Sequence, residues 1–315
     1  MIHRLITGAA LVASVGAVAS ADIQQFGAAG DAATVTAALN AFRTSLGPLN
    51  ANVPGSFGGG RREINWDGVP DALSSPNAFP GNFFNFTASP RARGANFTTD
   101  GTHFEVSAKA TNPTSTPIEF GNVNATYVEQ FAAFTPERLF APIDDNSMDV
   151  GFFVPGTVTV PAQVTGFGAI FTDVEMDDST SILALDTNGD FIAEIPVPPA
   201  ASGQFSFAGI LVTSGKRIGS IRIKNGSVAL SATNNDSPRE NVDVVAMDDF
   251  VYGEPISSEC PYDLTGDGKV DGPDLAVVLG AFGQSGALPA DINLDGTVDS
   301  YDIAYILGGW GNCPG

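Results

Sequence analysis

Two stretches near the end of the chain space their oxygen-bearing residues as a hard cation requires: DLTGDGKVDGPDL from Asp263 and DINLDGTVDSYDI from Asp291. A loop wrapped around calcium takes ligands from positions 1, 3, 5, 7, 9 and 12, with Gly at position 6 for the sharp turn. The first stretch supplies Asp263, Thr265, Asp267, the carbonyl of Lys269, Asp271 through water, and Asp274, with Gly268 at the turn. The second supplies Asp291, Asn293, Asp295, the carbonyl of Thr297, Asp299 and Asp302, with Gly296 at the turn. Every donor is oxygen, which suits Ca²⁺ and argues against zinc or copper. Four carboxylates crowd each loop, and like charges about 4 Å apart repel by roughly 4 kcal/mol at an effective dielectric of about 20. The sequence therefore predicts two bound calcium ions, and loops that open without them.

A single acidic turn could be merely solvated, but here the pattern recurs in register and the same apolar spacing follows each copy. Leu275, Val278, Leu279 and Phe282 match Ile303, Ile306, Leu307 and Trp310, while Val270 and Val298 fill position 8. At i, i+3, i+4 and i+7 these side chains make one helical stripe, so two short helices are expected to pack together.

Both loops depart from the general EF-hand: position 12 is Asp, and Pro261 and Tyr262 stand where an entering helix would precede the first copy. A duplicated loop-plus-helix with these two features resembles the dockerin domain, over residues 260–314. That resemblance implies a small all-α calcium-folded module plugging into a cohesin-like or cell-surface protein. In the family, partners are read mainly through loop positions 10 and 11, here Gly272 and Pro273 in one copy and Ser300 and Tyr301 in the other. The family's mid-helix basic residues are replaced by Leu279, Gly280 and Ala281, and by Leu307, Gly308 and Gly309. The two faces are not equivalent. Dockerin ends lie close together, so the resemblance also implies a disulfide between Cys260 and Cys313, against the alternative of two free thiols. Closing a loop of that length stabilises by roughly 4 kcal/mol in the chain-entropy model.

The other end reads as a signal peptide over residues 1–21. His3 and Arg4 precede an apolar run from Leu5 to Val18, and Ala19, Ser20 and Ala21 give an A-x-A cleavage site before Asp22. The run is too short for a permanent membrane anchor, so a secreted, extracellular or cell-surface chain is expected, in an oxidising compartment. A formal net charge of −21 leaves little to neutralise phosphates and argues against nucleic-acid binding.

Between these ends, the sequence predicts a helix over residues 32–46, with Asp31 as N-cap, a Val35, Ala38, Leu39 and Phe42 stripe, and Gly47 as the stop. With the Gly-rich stretch to Gly60 it forms a lead-in, residues 22–60. From 61 to 253 short runs of β-branched and aromatic residues alternate with turn residues: 64–66, 102–108, 150–154, 157–160, 164–174, 181–185, 191–195, 204–213, 217–224, 228–232 and 242–252. Such spacing predicts a mostly β chain, an antiparallel β-sandwich or jelly roll, most of whose 22 Phe fill the space between sheets. Residues 254–259 read as a linker to the 260–315 module. REINWDGVPD from Arg62, VTGFGAIFTDVE from Val164 and MDDFVYG from Met247 resemble secreted bacterial β-sandwich proteins of no assigned activity.

Three acidic features inside the sandwich could be sites. Asp173, Glu175 and Asp177 would share one face of a strand, either as a solvated strand end or as a row like the catalytic strand of laminarinase-type glucanases, which carries Glu, Asp, Glu. Asp186 to Asp190, DTNGD, copies the start of a calcium loop but has Phe191 where Gly is needed, so a two-residue hairpin turn is the better account. Asp248 and Asp249, with Asp67 as a neighbour, could hold a structural calcium. Trp66 could stack on sugars if exposed, and His103, the one histidine after residue 21, has no nucleophile pattern around it. Two functions fit: a non-catalytic exported β-sandwich attached by its calcium-binding dockerin-like module to a cohesin-type partner, cell surface or extracellular assembly, whose sandwich could also take polysaccharide, or a polysaccharide-degrading component of an extracellular enzyme complex.

Overall fold

The structure is a computed structural model that describes residues 22–57, 59–214, 216–265, 269–286 and 288–313. The expected signal peptide, and Asp267 and Gly268 of the first loop, lie outside the described residues.

The chain begins with strand β1 (Asp22–Gly30) and helix α1 (Ala32–Leu46). Seven strands follow: β2 (Arg61–Ile64), β3 (Ala95–Thr98), β4 (His103–Val106), β5 (Phe140–Ile143), β6 (Ser147–Phe152), β7 (Ala162–Gln163) and β8 (Gly166–Thr172). Then come β9 (Ser181–Leu185), β10 (Phe191–Pro196), β11 (Phe205–Ser214), β12 (Ser220–Lys224), β13 (Ala246–Gly253) and β14 (Ile256–Ser257). The C-terminal region holds β15 (Lys269–Val270), α2 (Gly272–Gly280), α3 (Ser300–Gly308) and β16 (Gly311–Asn312).

Two antiparallel sheets carry most of the chain. One runs β1-β11-β8-β13-β5-β4, with β2 also paired to β13; the other runs β10-β9-β12-β6-β3. Alternate residues of both sheets enter one shared core, among them Phe167, Phe171 and Phe250 from the first and Ile182, Ile221 and Val150 from the second. The predicted mostly-β, two-sheet arrangement is what the described residues show. Trp66 is fully buried in that core and stacks on Phe140 at 4.0 Å between ring centroids, so it offers sugars no platform.

The outer face of the larger sheet is covered by α1. Asp31 accepts the Thr34 N–H, Gly47 ends the helix at φ +96°, and Val35, Leu39, Phe42 and Leu46 are buried against Ile170, Phe207, Leu211 and Val251. Helix and sheet approach closely because Gly168 has no side chain: a Cβ there would stand 2.9 Å from Phe42.

Several expectations are corrected. Residues 157–160 and 228–232 form no strand; Val158 adopts φ +57°, and the second run spends its carbonyls singly, Leu230 O accepting Asp144 N–H. The predicted strand at 64–66 ends at Ile64, and Trp66 opens a short 3-10 turn. Three strands of the main sheets escaped the sequence, as did the two-residue strands β7, β14, β15 and β16: β1 is rich in Gly and Ala, β3 has four residues, and β5 contains Pro142. Nor do residues 22–60 stand apart, since β1 is the edge of the larger sheet. Residues 254–257 are no free linker: Glu254 is buried in a two-pronged pair with Arg62, both contacts 2.8 Å, and β14 pairs with β7. The C-terminal region is not all-α either, because β15 pairs with β16. No helix among the described residues is long and apolar enough to cross a membrane.

Candidate functional site

The C-terminal repeat folds around its own small core, in which Val270 and Val298 meet Val278 and Ile306. Only one residue of each expected stripe is fully buried, with Leu275 and Ile303 partly so. Val278 and Ile306 point inward, while Leu279, Phe282, Leu307 and Trp310 are each at least half exposed. Each loop is closed by the segment after the other repeat's helix: β15 pairs with β16 beyond α3, and Val298 N–H bonds Gln284 O beyond α2. Cys260 and Cys313 form a disulfide, Cα to Cα 5.6 Å, which joins the two ends of the repeat.

In the second loop, Asp291 is buried; its Oδ1 accepts Asp295 N–H at 3.1 Å and its Oδ2 accepts Gly296 N–H at 2.8 Å. Asp302 is fully buried; Oδ1 accepts the N–H of Ile292 and Asn293, and Oδ2 that of Asp299 at 2.7 Å. Leu294 at φ +59° and Gly296 at φ +89° make the turn. Asn293 Nδ2 donates to Asp295 Oδ2 at 2.8 Å, and Thr297 and Asp299 follow in order. In the first loop, Thr265 donates through N–H and hydroxyl to Asp274 Oδ1, and Asp271 N–H donates to Asp274 Oδ2. Asp263 and Asp274 are buried, Lys269 opens β15, and Asp271 Oδ1 is buried with no hydrogen-bond partner.

These observations fit a hard cation. Buried carboxylates at position 12 of both loops and position 1 of the second are held by neutral N–H groups, and in the first loop an oxygen at position 9 is left unpartnered, so the loops carry charge that these hydrogen bonds do not cancel. Burial raises the Asp291 carboxyl above its ordinary value, a cost that a bound cation would remove. Cys260 and Cys313 lie beside Asp263, but their sulfurs are joined and provide no thiolate.

The four positions expected to read a partner all reach solvent: Gly272 and Pro273 begin α2, and Ser300 and Tyr301 begin α3. Their surroundings differ. Tyr301 and Tyr305 join Tyr262 around a shallow surface recess. In the first copy the residues 28 positions earlier are Pro273 and Val277, and Val277 lines a cavity with Leu46 and Phe57 of the sandwich side. Arg217 ties the two parts together, donating to Leu288 O at 3.1 Å and Asp291 O at 2.9 Å; burial pulls its guanidinium down to about 10.

Inside the sandwich, the expected row of acids on one strand face does not form. β8 ends at Thr172; Asp173 turns at φ +69° and is fully buried, Glu175 is half-buried and Asp177 is exposed. Asp173 and Glu175 nevertheless meet, together with Asp236, each offering a carboxylate oxygen within 4.8 Å of the others. Asp243, also fully buried, accepts Glu175 N–H. Burial and the neighbouring acids push Asp173 up to about 6 and Glu175 up to about 8. Asp236 and Asp243 were invisible to periodicity, since they follow Asp173 by 63 and 70 positions and only tertiary contact unites them.

Residues 186–190 make a hairpin, but with three residues enclosed rather than two. Gly189 N–H bonds Asp186 O and Asp186 N–H bonds Asp190 O, with Gly189 at φ +82°. Asp248 and Asp249 are buried and bonded to Thr135, while Asp67 accepts Arg138 N–H instead of joining them. His103 pairs with Glu105.

No family model and no curated protein sequence matches this chain. A solved structure of a Streptococcus pneumoniae fucose binding module aligns over 47% of this chain and 89% of that one, at 12% identity and a TM-score of 0.23. At that score the likeness says nothing about ligand.

Proposed function

We propose that the chain is an exported, non-catalytic β-sandwich protein, attached through a calcium-binding dockerin-like repeat to a cohesin-type partner on a cell surface or extracellular assembly. One observation carries the reading: two loops in register, each with buried Asp at positions 1 and 12 and each closed by the other repeat's flank. Asp263, Thr265, Asp267, Asp271 and Asp274 with the Lys269 carbonyl would hold one calcium. Asp291, Asn293, Asp295, Asp299 and Asp302 with the Thr297 carbonyl would hold the other, Asn293 giving up its bond to Asp295. The ions neutralise the loops and so fix the ends of α2 and α3.

Docking by the second copy follows from the tyrosines. Tyr301, Tyr305 and Tyr262 are aromatic anchors free to meet a partner, whereas the matching face of α2 looks toward the sandwich. The alternative, a polysaccharide-degrading enzyme, would need a sugar beside both Asp173 and Glu175, and Asp173 has no exposed surface. Binding of polysaccharide by the sandwich is an adjunct that glycan-array screening addresses.

The test uses the full chain against a panel of immobilised cohesin modules, with calcium and with chelator. Calcium-dependent capture is expected, weakened at least tenfold by Tyr301→Ala with Tyr305→Ala while bound calcium is unchanged. Equal calcium binding by wild type and an Asp291→Ala, Asp302→Ala variant would sink the loop assignment. Capture that survives chelator would sink the docking mechanism.

A further inference from the structure

We propose that Asp173, Glu175 and Asp236, with Asp243 beside them, form a calcium site in the sandwich itself, separate from the two C-terminal loops. The acids come from two distant segments, the exit of β8 and the loop that leads into β13; Asp173, Glu175 and Asp236 bring carboxylate oxygens within 4.8 Å of one another, and Asp243 stands beside them, accepting Glu175 N–H.

The pointer to a ligand is an unpartnered oxygen. Asp173 is fully buried; its Oδ1 accepts Ser202 Oγ at 3.0 Å and Gly203 N–H at 2.9 Å, but its Oδ2 has no hydrogen-bond partner. Glu175 Oε2 and Asp243 Oδ2 are buried without partners as well. A buried carboxylate oxygen left unpaired is costly, and three in one place need a common explanation. The charges that act most strongly on Glu175 are those of Asp173, Asp236 and Asp243, all negative.

Geometry and donor type select the ion. Ligands held at 2.3–2.6 Å from one calcium stand at most about 5 Å apart, and the oxygens of Asp173, Glu175 and Asp236 meet that limit. The donors are carboxylates alone, which disfavours zinc, and irregular loop segments suit the loose coordination of calcium better than the strict octahedron of magnesium. Asp236 is further fixed by Val244 N–H at 2.9 Å, so two points of the second segment are set before an ion arrives. Glu175 and Asp236 are half-buried, which leaves the ion a way in. The bound ion would clamp the end of β8 to the approach of β13, two adjacent strands of the larger sheet.

The rival account is a proton shared between Glu175 and Asp236. Full-length protein, stripped of metal and dialysed against calcium, separates the two when bound calcium is counted by elemental analysis. Glu175→Gln with Asp236→Asn is expected to bind one calcium fewer per chain than its parent, and this holds equally in a parent already carrying Asp302→Ala, so failure of the loop assignment leaves the result readable. The melting temperature supplies a second readout: the variant melts above its parent in chelator, where repulsion is relieved, and below it in millimolar calcium. Magnesium at the same concentration leaves the parent unchanged. If the double variant does not fold, Asp236→Asn alone carries both measurements. An unchanged calcium count, or a variant more stable than its parent in both buffers, overturns the site in favour of the shared proton.

Discussion

Asp248 and Asp173 are both aspartates with no exposed surface near the same sheet, and their hydrogen bonds separate their roles. Asp248 spends both oxygens: Oδ2 accepts Phe134 N–H at 2.6 Å and Oδ1 accepts the Thr135 hydroxyl at 2.9 Å. Its neighbour Asp249 shares that hydroxyl and faces Arg43 at 3.8 Å. Nothing is left over for a cation, whereas Asp173 keeps one oxygen unused. Burial pushes Asp249 up to about 6, and it raises Asp248 too, with the Asp249 charge adding to it. A carboxyl whose folded value lies above its unfolded one contributes stability that is full below about pH 4 and lost as pH rises through about 6. Urea unfolding at fixed calcium from pH 4.5 to 7.5 should therefore show a downward slope that Asp249→Asn makes shallower. A slope equal in the two proteins would contradict this placement of the pair.

At the scale of elements, the fold depends on how closely α1 lies on the larger sheet. Phe42 sits over Gly168 and Gly209, where Cβ atoms would come within 2.9 and 3.2 Å of its ring. The helix is set by its cap and stripe, but its distance from the sheet is set by these two missing side chains. Gly168→Ala should cost about 1–3 kcal/mol by overpacking, measured as a lower urea midpoint at constant slope. Phe42→Leu in the same chain should recover part of that loss, because the clash is with the ring. Additive losses would show that the strain comes from the Phe207 ring or Ala208 O instead, which stand 3.0 and 3.1 Å from the same Cβ.

Across the whole molecule, the C-terminal repeat and the sandwich have separate cores: residues 254–257, fixed to the sandwich by Arg62 to Glu254 and β14 to β7, lead into the repeat, and Arg217 bonds its backbone at Leu288 and Asp291. The repeat's core is small, and small cores lean on cross-links and metals. Replacing Cys260 and Cys313 by Ser should lower the stability of the repeat by about 4 kcal/mol through the longer free loop of its unfolded state. Calorimetry at saturating calcium should show a lower-temperature transition for the repeat beside an unmoved one for the sandwich. A single transition that shifts as a whole would mean that the links make one cooperative unit.

Local rules wrote much of this into the sequence. Asp31, the 32–46 stripe and Gly47 determined a helix because capping and a 3.6-residue period act within one turn. Loop positions 1 to 12 declared an oxygen cage because a metal loop is contiguous. Alternating runs such as 181–185 determined strands for the same reason. Only tertiary structure could turn the first copy's helix toward the sandwich and leave the second copy's tyrosines outside, make residues 254–257 part of the body, or bury Trp66. It alone gathered Asp173, Glu175, Asp236 and Asp243, since nothing in sequence distance records which loops a sheet brings to one end. Acids that share a spacing can be read from the chain; acids that share only a place must wait for the strands between them to pair.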